Sequence, residues 1–559
     1  MLDIEEFNRK KKRLFETKNQ INTQKDLQEY FYDLKIVCLN ERSSDIVKLF
    51  PQLIDKVKQI GNDNLLFSIY WLYFRQIYYF AQTTVQTEQL IQQMREISEK
   101  SEDIEQKAIV LASESLYYQY KGNNEKAIMI MSKALESLKF NEEIFSETYY
   151  NLLFSYAFSS FSKQDYTEAI ENMEKCLSYF YDSYNTLAMI KAIAHLLRFY
   201  TFADLDDKYK ELIHWIFVNE KIQEKILDSH YIMLFTNLGK FSTMRDEIDA
   251  AIDYLSKAYD RIRSKKMQLD IMYDYTEILK VLSRCYAYQG YFEQSYNLLV
   301  ELINFIEIDF IKENFLEKLT KIVYFSTYYT LLFIYVQLDL DISNLKNDKL
   351  KHVYEYTKLL LMQTKISENF LLDASLNEEE LKELLKDGKD LSKYEVYLLL
   401  HQLLLTQTPH TADDKTADTI SLIKDFTYTP LFADVLLGKI YLAKGNYDEF
   451  NKLVYKLKAT KNSVKTPILR IWIEFLVLVE QYLDNPTDDN TIRKINELEE
   501  ICKRNNFKKM SEEIKLYQRL ITSSKTIKSF KEKFKQTAFI DVFSDQSKEI
   551  VINYLESKN

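Results

Sequence analysis

Histidine, cysteine and glycine are the residues whose spacing would most directly reveal metal, nucleophilic or phosphate chemistry in this chain. The six histidines, at positions 195, 214, 230, 352, 401 and 410, form no HExxH motif, no i,i+4 pair and no cluster with cysteine. The sequence has no GxxxxGK(S/T) phosphate loop and no GxSxG nucleophile motif. His195 and His214 lie in apolar stretches, where we interpret them as packing residues. These patterns predict no enzyme, no metal site and no cofactor.

Two basic segments offer charge without catalytic chemistry. Residues 9–13 read RKKKR, and residues 525–536 alternate lysine with Phe530 and Phe534. Each segment is typical of a solvated helix face. The alternative for the first is attraction to phosphate or anionic lipid, and for the second an amphipathic helix that faces a partner or a membrane. The acidic run at 378–380 is likewise typical of a solvated helix face.

Composition favours a long helical repeat over a conventional globular domain. A chain of 559 residues exceeds the size of one globular core, while 7 Gly and 5 Pro are too few for the turns of an all-β protein. The 42 Tyr and 34 Phe are interpreted as bulky packing residues between helices. A formal net charge of −10 argues against a broad nucleic-acid surface.

The expected compartment follows from the cysteines and from the apolar runs. Four cysteines stand far apart without a CxxC pair, which indicates a reducing environment. The N-terminus lacks the apolar core of a signal peptide. The uncharged run 322–338 is short for a spanning segment and contains Ser, Thr, Gln and Tyr, so a buried helix is expected there. We therefore expect a cytoplasmic protein without membrane insertion.

Small and aromatic residues recur in helix-turn-helix segments along the chain. The clearest stretch is 231–302, where Gly239, Ala251 and Ala258 precede Ser283, Gly290 and Ser295. Further units carry small, aromatic or glycine residues at matching positions: Tyr118, Gly122, Ala127 and Ala134; Ala157, Tyr166, Ala169 and Cys176; Leu437, Gly438, Tyr441, Gly445 and Tyr447, with Phe450 in place of the expected alanine. Small residues allow two helices to touch, and a turn glycine ends the first helix in a left-handed conformation.

This pattern resembles the tetratricopeptide repeat superfamily, in a long and degenerate form. Ala127 and Ala169 are 42 residues apart, whereas the standard repeat is about 34 residues. The resemblance implies an all-α fold, a right-handed superhelical solenoid of antiparallel helix pairs. The expected organisation is a polar and basic segment at 1–24, repeats at 25–365, an irregular helical or loop insertion at 366–429, and repeats with capping helices at 430–559.

The resemblance also implies a binding groove, because the first helix of each pair, helix A, lines the concave surface of such folds. Cationic and amide side chains there would favour a carboxylate, an acidic peptide or a phosphate. Transferring the register gives the following groove positions: Asn151, Phe158, Asn237, Lys240, Lys280, Arg284 and Lys439.

Two functional hypotheses follow from the sequence. The first is a non-enzymatic scaffold or sensor that binds a protein or peptide in the groove, as a subunit or regulator of an intracellular assembly. Long degenerate repeats resemble those of bacterial peptide-sensing regulators, of the repeat arms of signalling ATPases and of subunits of large eukaryotic complexes. The second is an effector's regulatory arm or an enzyme whose active site lies in 365–430, where the loop 406–418 interrupts the helical pattern.

Overall fold

The protein is described here from a computed structural model, and its regular structure is helical. No β-strand occurs in the part of the chain that the structure describes. The predicted all-α class and its organisation in successive helix pairs are confirmed. The described residues are 4–18, 23–41, 44–77, 84–120, 123–139, 146–163, 165–183, 185–219, 222, 226–263, 269–307, short pieces within 323–338, 345–363, 430–460, 464, 466–486, 488–505, 507–522, 524 and 528.

Packing divides the chain into two compact units. Unit 1 comprises Met1–Phe241 and Lys257–Tyr275, and unit 2 comprises Ser242–Ser256 and Thr276–Asn559. Twelve described helices lie wholly in unit 1: α1 Ile4–Thr17, α2 Gln24–Asn40, α3 Ser44–Val47, α4 Phe50–Ile60, α5 Asp63–Ile77, α6 Thr84–Ser98, α7 Ile104–Tyr120, α8 Asn124–Leu138, α9 Ser146–Ser162, α10 Tyr166–Asp182, α11 Thr186–Phe202 and α12 Asp206–Val218.

Three helices contribute residues to both units, namely α13 Asp228–Met244, α14 Ile248–Arg263 and α15 Leu269–Tyr288. The remaining described helices belong to unit 2: α16 Phe292–Ile306, α17 Asp348–Gln363, α18 Pro430–Lys444, α19 Tyr447–Thr460, α20 Pro467–Asp484, α21 Asp489–Arg504 and α22 Lys508–Thr522.

Consecutive helices pack as pairs in each unit. In unit 1 the pairs are α5 with α6, α7 with α8, α9 with α10, and α11 with α12. The first helices of these pairs also touch one another, α5 with α7, α7 with α9 and α9 with α11. In unit 2, α18 pairs with α19 and α20 with α21, and α18 touches α20. The A helices of neighbouring pairs therefore share a face.

The small residues of the repeat pattern lie where helices touch. Ala127, Ala134 and Ala169 have no exposed surface. In unit 2, Ser283 and Ser295 are also fully buried, and the Ser295 hydroxyl donates to the Ser283 carbonyl oxygen at 2.6 Å. A larger side chain at these positions would separate the helices, because protein interiors are close-packed.

The predicted turn glycines are left-handed. Gly290 and Gly445 have φ of 83° and 72°, which favours glycine over any residue with a Cβ. Gly290 meets a second constraint, since a Cβ there would lie 2.7 Å from the carbonyl oxygen of Asn505. Gly61, at the end of α4, has φ of 74° but has no atom within 4 Å of a Cβ position.

These two glycines form a matched pair for a stability test. Gly61→Ala is expected to lower the free energy of unfolding by about 1 kcal/mol, the cost of a left-handed alanine. Gly290→Ala is expected to cost roughly 2 kcal/mol or more, because the same backbone strain is joined by the overlap with Asn505. Urea denaturation followed by circular dichroism measures both. Equal losses would show that the Asn505 contact has no energetic consequence.

The basic cluster at 9–13 is engaged within unit 1. Lys10 and Arg13 on α1 both bind Asp33 on α2, a carboxylate that is only 1% exposed, and Lys11 binds Glu41 at 2.6 Å. Lys12 instead faces solvent, with a 3.7 Å pair to Glu16 one turn later on the same helix. Three of the five cations therefore attach α1 to α2 through the carboxylates of Asp33 and Glu41.

Asp33→Asn tests this attachment. The exchange removes the carboxylate that Lys10 and Arg13 share. Loss of one partner from a buried ion pair is expected to lower the free energy of unfolding by on the order of 3 kcal/mol. The matched control is Asp45→Asn, which removes the exposed pair between Asp45 and Lys48 and is expected to cost less than about 0.5 kcal/mol. Similar denaturation midpoints for the two variants would contradict the structural role of Asp33.

Several sequence expectations fall outside the described residues. These are the insertion at 366–429 with its loop 406–418, the acidic run at 378–380, Gly122, and the basic segment with Phe530 and Phe534. Within the described residues, no helix is both long and apolar enough to cross a membrane.

Candidate functional site

The predicted groove residues of unit 1 differ in their surroundings. Asn151, on α9, lines a cleft between helices and accepts a hydrogen bond from Arg75 at 3.4 Å. Phe158, also on α9, packs edge-on against His195 with ring centres 5.1 Å apart. Asn237 is half-buried on α13 and donates to the Met233 carbonyl oxygen of its own helix at 2.8 Å. Lys240 is half-buried on the same helix.

The predicted groove residues of unit 2 are cations, and two of them are buried beside carboxylates. Lys280 is 5% exposed and pairs with Glu277 at 2.6 Å. Lys439 is 2% exposed, and its Nζ lies 3.1 Å from the Glu513 carboxylate and 3.6 Å from the Trp472 ring centre.

Arg284, one turn after Lys280, donates to the Ser326 hydroxyl at 3.0 Å. The two buried lysines, Lys280 and Lys439, thus pair with carboxylates of their own unit. Whether any of the groove positions contacts a partner stays a prediction.

Unit 1 contains a partly open cleft at the face shared by its A helices. Side chains from α2, α5, α7, α9 and α11 line it, together with Phe180 of α10 and the capping residue of α11. We call it the unit 1 cleft, and its cavity volume of about 70 Å³ is large enough for the end of one side chain. Aromatic and leucine side chains form much of the wall. Its polar lining residues are Arg75, Gln76, Asn151, Ser155, Asn185 and Lys191.

The polar lining of the unit 1 cleft is cationic. Arg75 and Lys191 belong to it, and no Asp or Glu occurs among the lining residues. The guanidinium of Arg75 lies 5.7 Å from the Trp71 ring centre, close enough for a cation–π contact. In the part of the chain that the structure describes, no carboxylate lies within ion-pair distance of Arg75. An acidic protein thus keeps a positive lining in this cleft.

Two buried amides of the cleft retain unused hydrogen-bonding atoms. The Asn185 Oδ1 caps α11 by accepting from the Ala188 amide at 3.1 Å, which leaves its Nδ2 donor buried without an acceptor. The Nε2 of Gln76 donates to the Cys38 carbonyl oxygen at 3.1 Å and reaches that of Glu41 at 3.4 Å, which leaves its Oε1 acceptor buried and unused. Buried polar atoms usually have a partner, so Asn185 and Gln76 each keep one atom able to make a further hydrogen bond.

Two buried histidines lie in the same unit. His195 packs among Phe154, Phe158 and Phe199, as the sequence predicts for a packing residue. Burial lowers its pKa to about 3, helped by the nearby charges of Arg198 and Lys191. His214 is exposed, which corrects the same prediction for it, because the buried stripe of α12 consists of Tyr209, Leu212 and Ile216.

His230 attaches α13 to the C-terminal end of α2. Its Nε2 lies 2.7 Å from the Asn40 carbonyl oxygen, and since a carbonyl only accepts, the ring donates from this nitrogen. Burial lowers the pKa of His230 to about 4. The imidazole is therefore neutral at physiological pH, and it holds the α2 turn that supplies Cys38 and Leu39 to the cleft.

The four cysteine thiols are not activated as nucleophiles. All four cysteines are buried and free, and burial raises the pKa of each thiol, so the reactive thiolate is disfavoured. Among the described residues, no group of three or more His, Cys, Asp or Glu side chains is placed to hold a metal ion.

Sequence reasoning placed Asn151 in the site but missed Arg75, Gln76, Asn185 and Lys191. Asn185 carries a readable signal, since an asparagine before an apolar helical run predicts a helix cap. That signal concerns its Oδ1 alone. Tertiary packing decides that its Nδ2 has no hydrogen-bond partner and that five helices meet around the cleft.

Comparison with known proteins gives matches among solved structures only. No protein-family model matches the sequence, and no curated protein matches it. Among solved structures 31 chains match. One is the crystal structure of NprR in complex with its cognate peptide NprX, which is 13% identical, has a TM-score of 0.35, and aligns over 71% of this chain and 99% of that chain.

The two buried histidines predict an acid-sensitive unit 1. The pKa of each histidine is about 6.5 in the unfolded chain and lower in the folded protein, so protons bind the unfolded state more tightly. The two neutral histidines therefore cost no stability above pH 6.5, and the free energy of unfolding decreases as the pH falls towards 4. The slope is roughly 1.4 kcal/mol per pH unit for each histidine.

His195→Leu is expected to reduce the slope of the unfolding free energy against pH by roughly 1.4 kcal/mol per pH unit, because leucine does not titrate. The matched control, His214→Leu, makes the same exchange at an exposed histidine. Urea denaturation from pH 7 to pH 4 measures both variants, and carboxylate titration is common to them. Parallel pH profiles for His195→Leu and the original protein would contradict the assigned pKa.

Proposed function

We propose that the protein is a non-enzymatic binding protein, which holds a peptide or a segment of a partner protein on the A-helix face of unit 1. The observation that carries the proposal is the unit 1 cleft, where Arg75 has no carboxylate partner among the described residues and buried amide atoms remain unused. Such groups supply orientation and specificity once a ligand completes their hydrogen bonds.

The dimensions of the cleft indicate how a partner would bind. A cavity of about 70 Å³ accepts one side-chain end or a chain terminus, while the rest of a peptide would lie along the neighbouring A helices. Apolar walls, formed by residues such as Phe74, Phe154 and Leu187, would bury the stem of that side chain. In this proposal the bound partner carries the biological output, and this chain performs no covalent chemistry.

Two matched serine substitutions test the proposal. Ser155 lines the unit 1 cleft on α9, whereas Ser137 is exposed on α8. Ser155→Phe is expected to fill the cleft and abolish partner retention, because a benzyl group occupies the space of the ligand. Ser137→Phe adds the same group outside the cleft and is expected to retain the partner.

Native mass spectrometry of protein purified gently from its own host provides the measurement. The original protein and Ser137→Phe are expected to carry an additional peptide or protein mass that Ser155→Phe lacks. Helicity by circular dichroism establishes that Ser155→Phe is folded. An original protein that carries no peptide or protein, or equal retention by both variants, would contradict the proposed function.

A further inference from the structure

We propose that the unit 1 cleft recognises a carboxylate group, with Arg75 and Asn185 as its direct hydrogen-bond donors. This inference rests on the proposed function and names the chemistry of the ligand end that enters the cleft. The carboxylate is either the C-terminus of a peptide or the side chain of an Asp or Glu residue.

The electrostatics of the cleft favour an anion. Its lining contains two cations and no acid, in a chain of net charge −10. Two carboxylates of neighbouring helices already have partners, because Glu41 binds Lys11 at 2.6 Å and Glu147 binds Lys35 at 2.8 Å. The amino-terminal end of α11, with Asn185 as its cap, adds the positive end of a helix dipole.

Arg75 is arranged to receive a planar anion. Its guanidinium carries five N–H donors, and its described contacts are one hydrogen bond to Asn151, long at 3.4 Å, and the cation–π contact with Trp71. A guanidinium beside an aromatic ring keeps its edge available, and that edge matches the two oxygens of a carboxylate. The same charge on a lysine would not supply this geometry.

Asn185 provides the second, independent observation. It is 6% exposed, and its Nδ2 has no hydrogen-bond partner. The orientation of the amide is unambiguous, because the Oδ1 is occupied by the Ala188 amide. A buried donor is satisfied by an acceptor, and a carboxylate has acceptor sites for both Asn185 and Arg75.

The cavity fits a carboxylate better than a phosphate. Its volume of about 70 Å³ is small, and aromatic and leucine side chains surround its polar lining, which suits a single negative charge on an apolar stem. A phosphate has three acceptor oxygens and a larger charge at neutral pH, and it commonly uses free backbone amides at a helix N-terminus. Here the Ala188 amide already donates its hydrogen bond to the Oδ1 of Asn185.

Trp71 makes the proposal measurable in the full-length protein. This ring lines the cleft beside Arg75, so its fluorescence is expected to respond to occupancy. The reporter form carries Trp215→Phe and Trp472→Phe, which leaves Trp71 as the only tryptophan. It is titrated at constant ionic strength with N-acetylglycine, which has a C-terminal carboxylate, and with the α-amide of N-acetylglutamic acid, which has only the side-chain carboxylate.

A saturable response to one or both carboxylates is expected, and the tighter of the two identifies the source of the group. N-acetylglycinamide, inorganic phosphate and chloride are expected to bind at least roughly tenfold more weakly, since they lack the charge or the shape. Phosphate binding as tight as that of the carboxylates, or no response to either carboxylate, would overturn the assignment.

Three variants locate the response. Arg75→Gln and Asn185→Asp are each expected to weaken carboxylate binding roughly tenfold or more. Asn185→Asp keeps the cap on α11 and replaces the Nδ2 donor by an oxygen, so it remains informative if Arg75→Gln folds poorly. Arg95→Gln makes the same exchange at an arginine outside the cleft, paired with Glu114, and is expected to bind as the reporter does. Unchanged binding in both cleft variants would overturn the proposal.

The carboxylate proposal and the proposed function fail under different results. If Ser155→Phe loses the cellular partner but carboxylates do not bind, the cleft binds an uncharged group, and only this inference fails. If carboxylates bind but no peptide or protein is retained from the host, the carboxylate site stands and the proposed function fails.

Discussion

The close approach of paired helices is the constraint on which the structure depends. It requires residues with almost no side chain at the contact, and Ala127, Ala169 and Ser295 meet that requirement with no exposed surface. Between neighbouring A helices the same demand recurs at Gly438 on α18, where a Cβ would lie 2.9 Å from the Leu476 Cδ1. Because each contact is local, the pattern tolerates change, and Phe450 is fully buried where the repeat pattern has alanine.

Tight pairing also determines which side chains meet. When α5, α7, α9 and α11 touch in series, residues far apart in sequence line one cleft. The α2 helix completes it, and two buried side chains hold its last turn by their hydrogen bonds to carbonyl oxygens: Gln76 to Cys38 and His230 to Asn40. Elements that stabilise the fold thereby position the cleft.

Charge is distributed unevenly over this scaffold. Most buried cations neutralise a nearby carboxylate, as Lys10 does with Asp33 and Lys439 does with Glu513. Removing a charge from water is costly unless a partner compensates it, so such pairs are expected wherever a charge is buried. Arg75 is only half-buried, and it lines the same cleft as Asn185, whose Nδ2 has no hydrogen-bond partner.

The sequence by itself determined the helical class, the pairing of helices and the turns. Those features depend on neighbours along the chain, such as the spacing of Ala127 and Ala134 on one helix face or the left-handed conformation that Gly290 permits. Only the tertiary structure decided which charges are available. Lys280 stands at a predicted groove position, yet it is buried and pairs with Glu277, while the described contacts of Arg75 are with Asn151 and Trp71. Solvation and pairing depend on distant helices, and a repeat register contains no information about them.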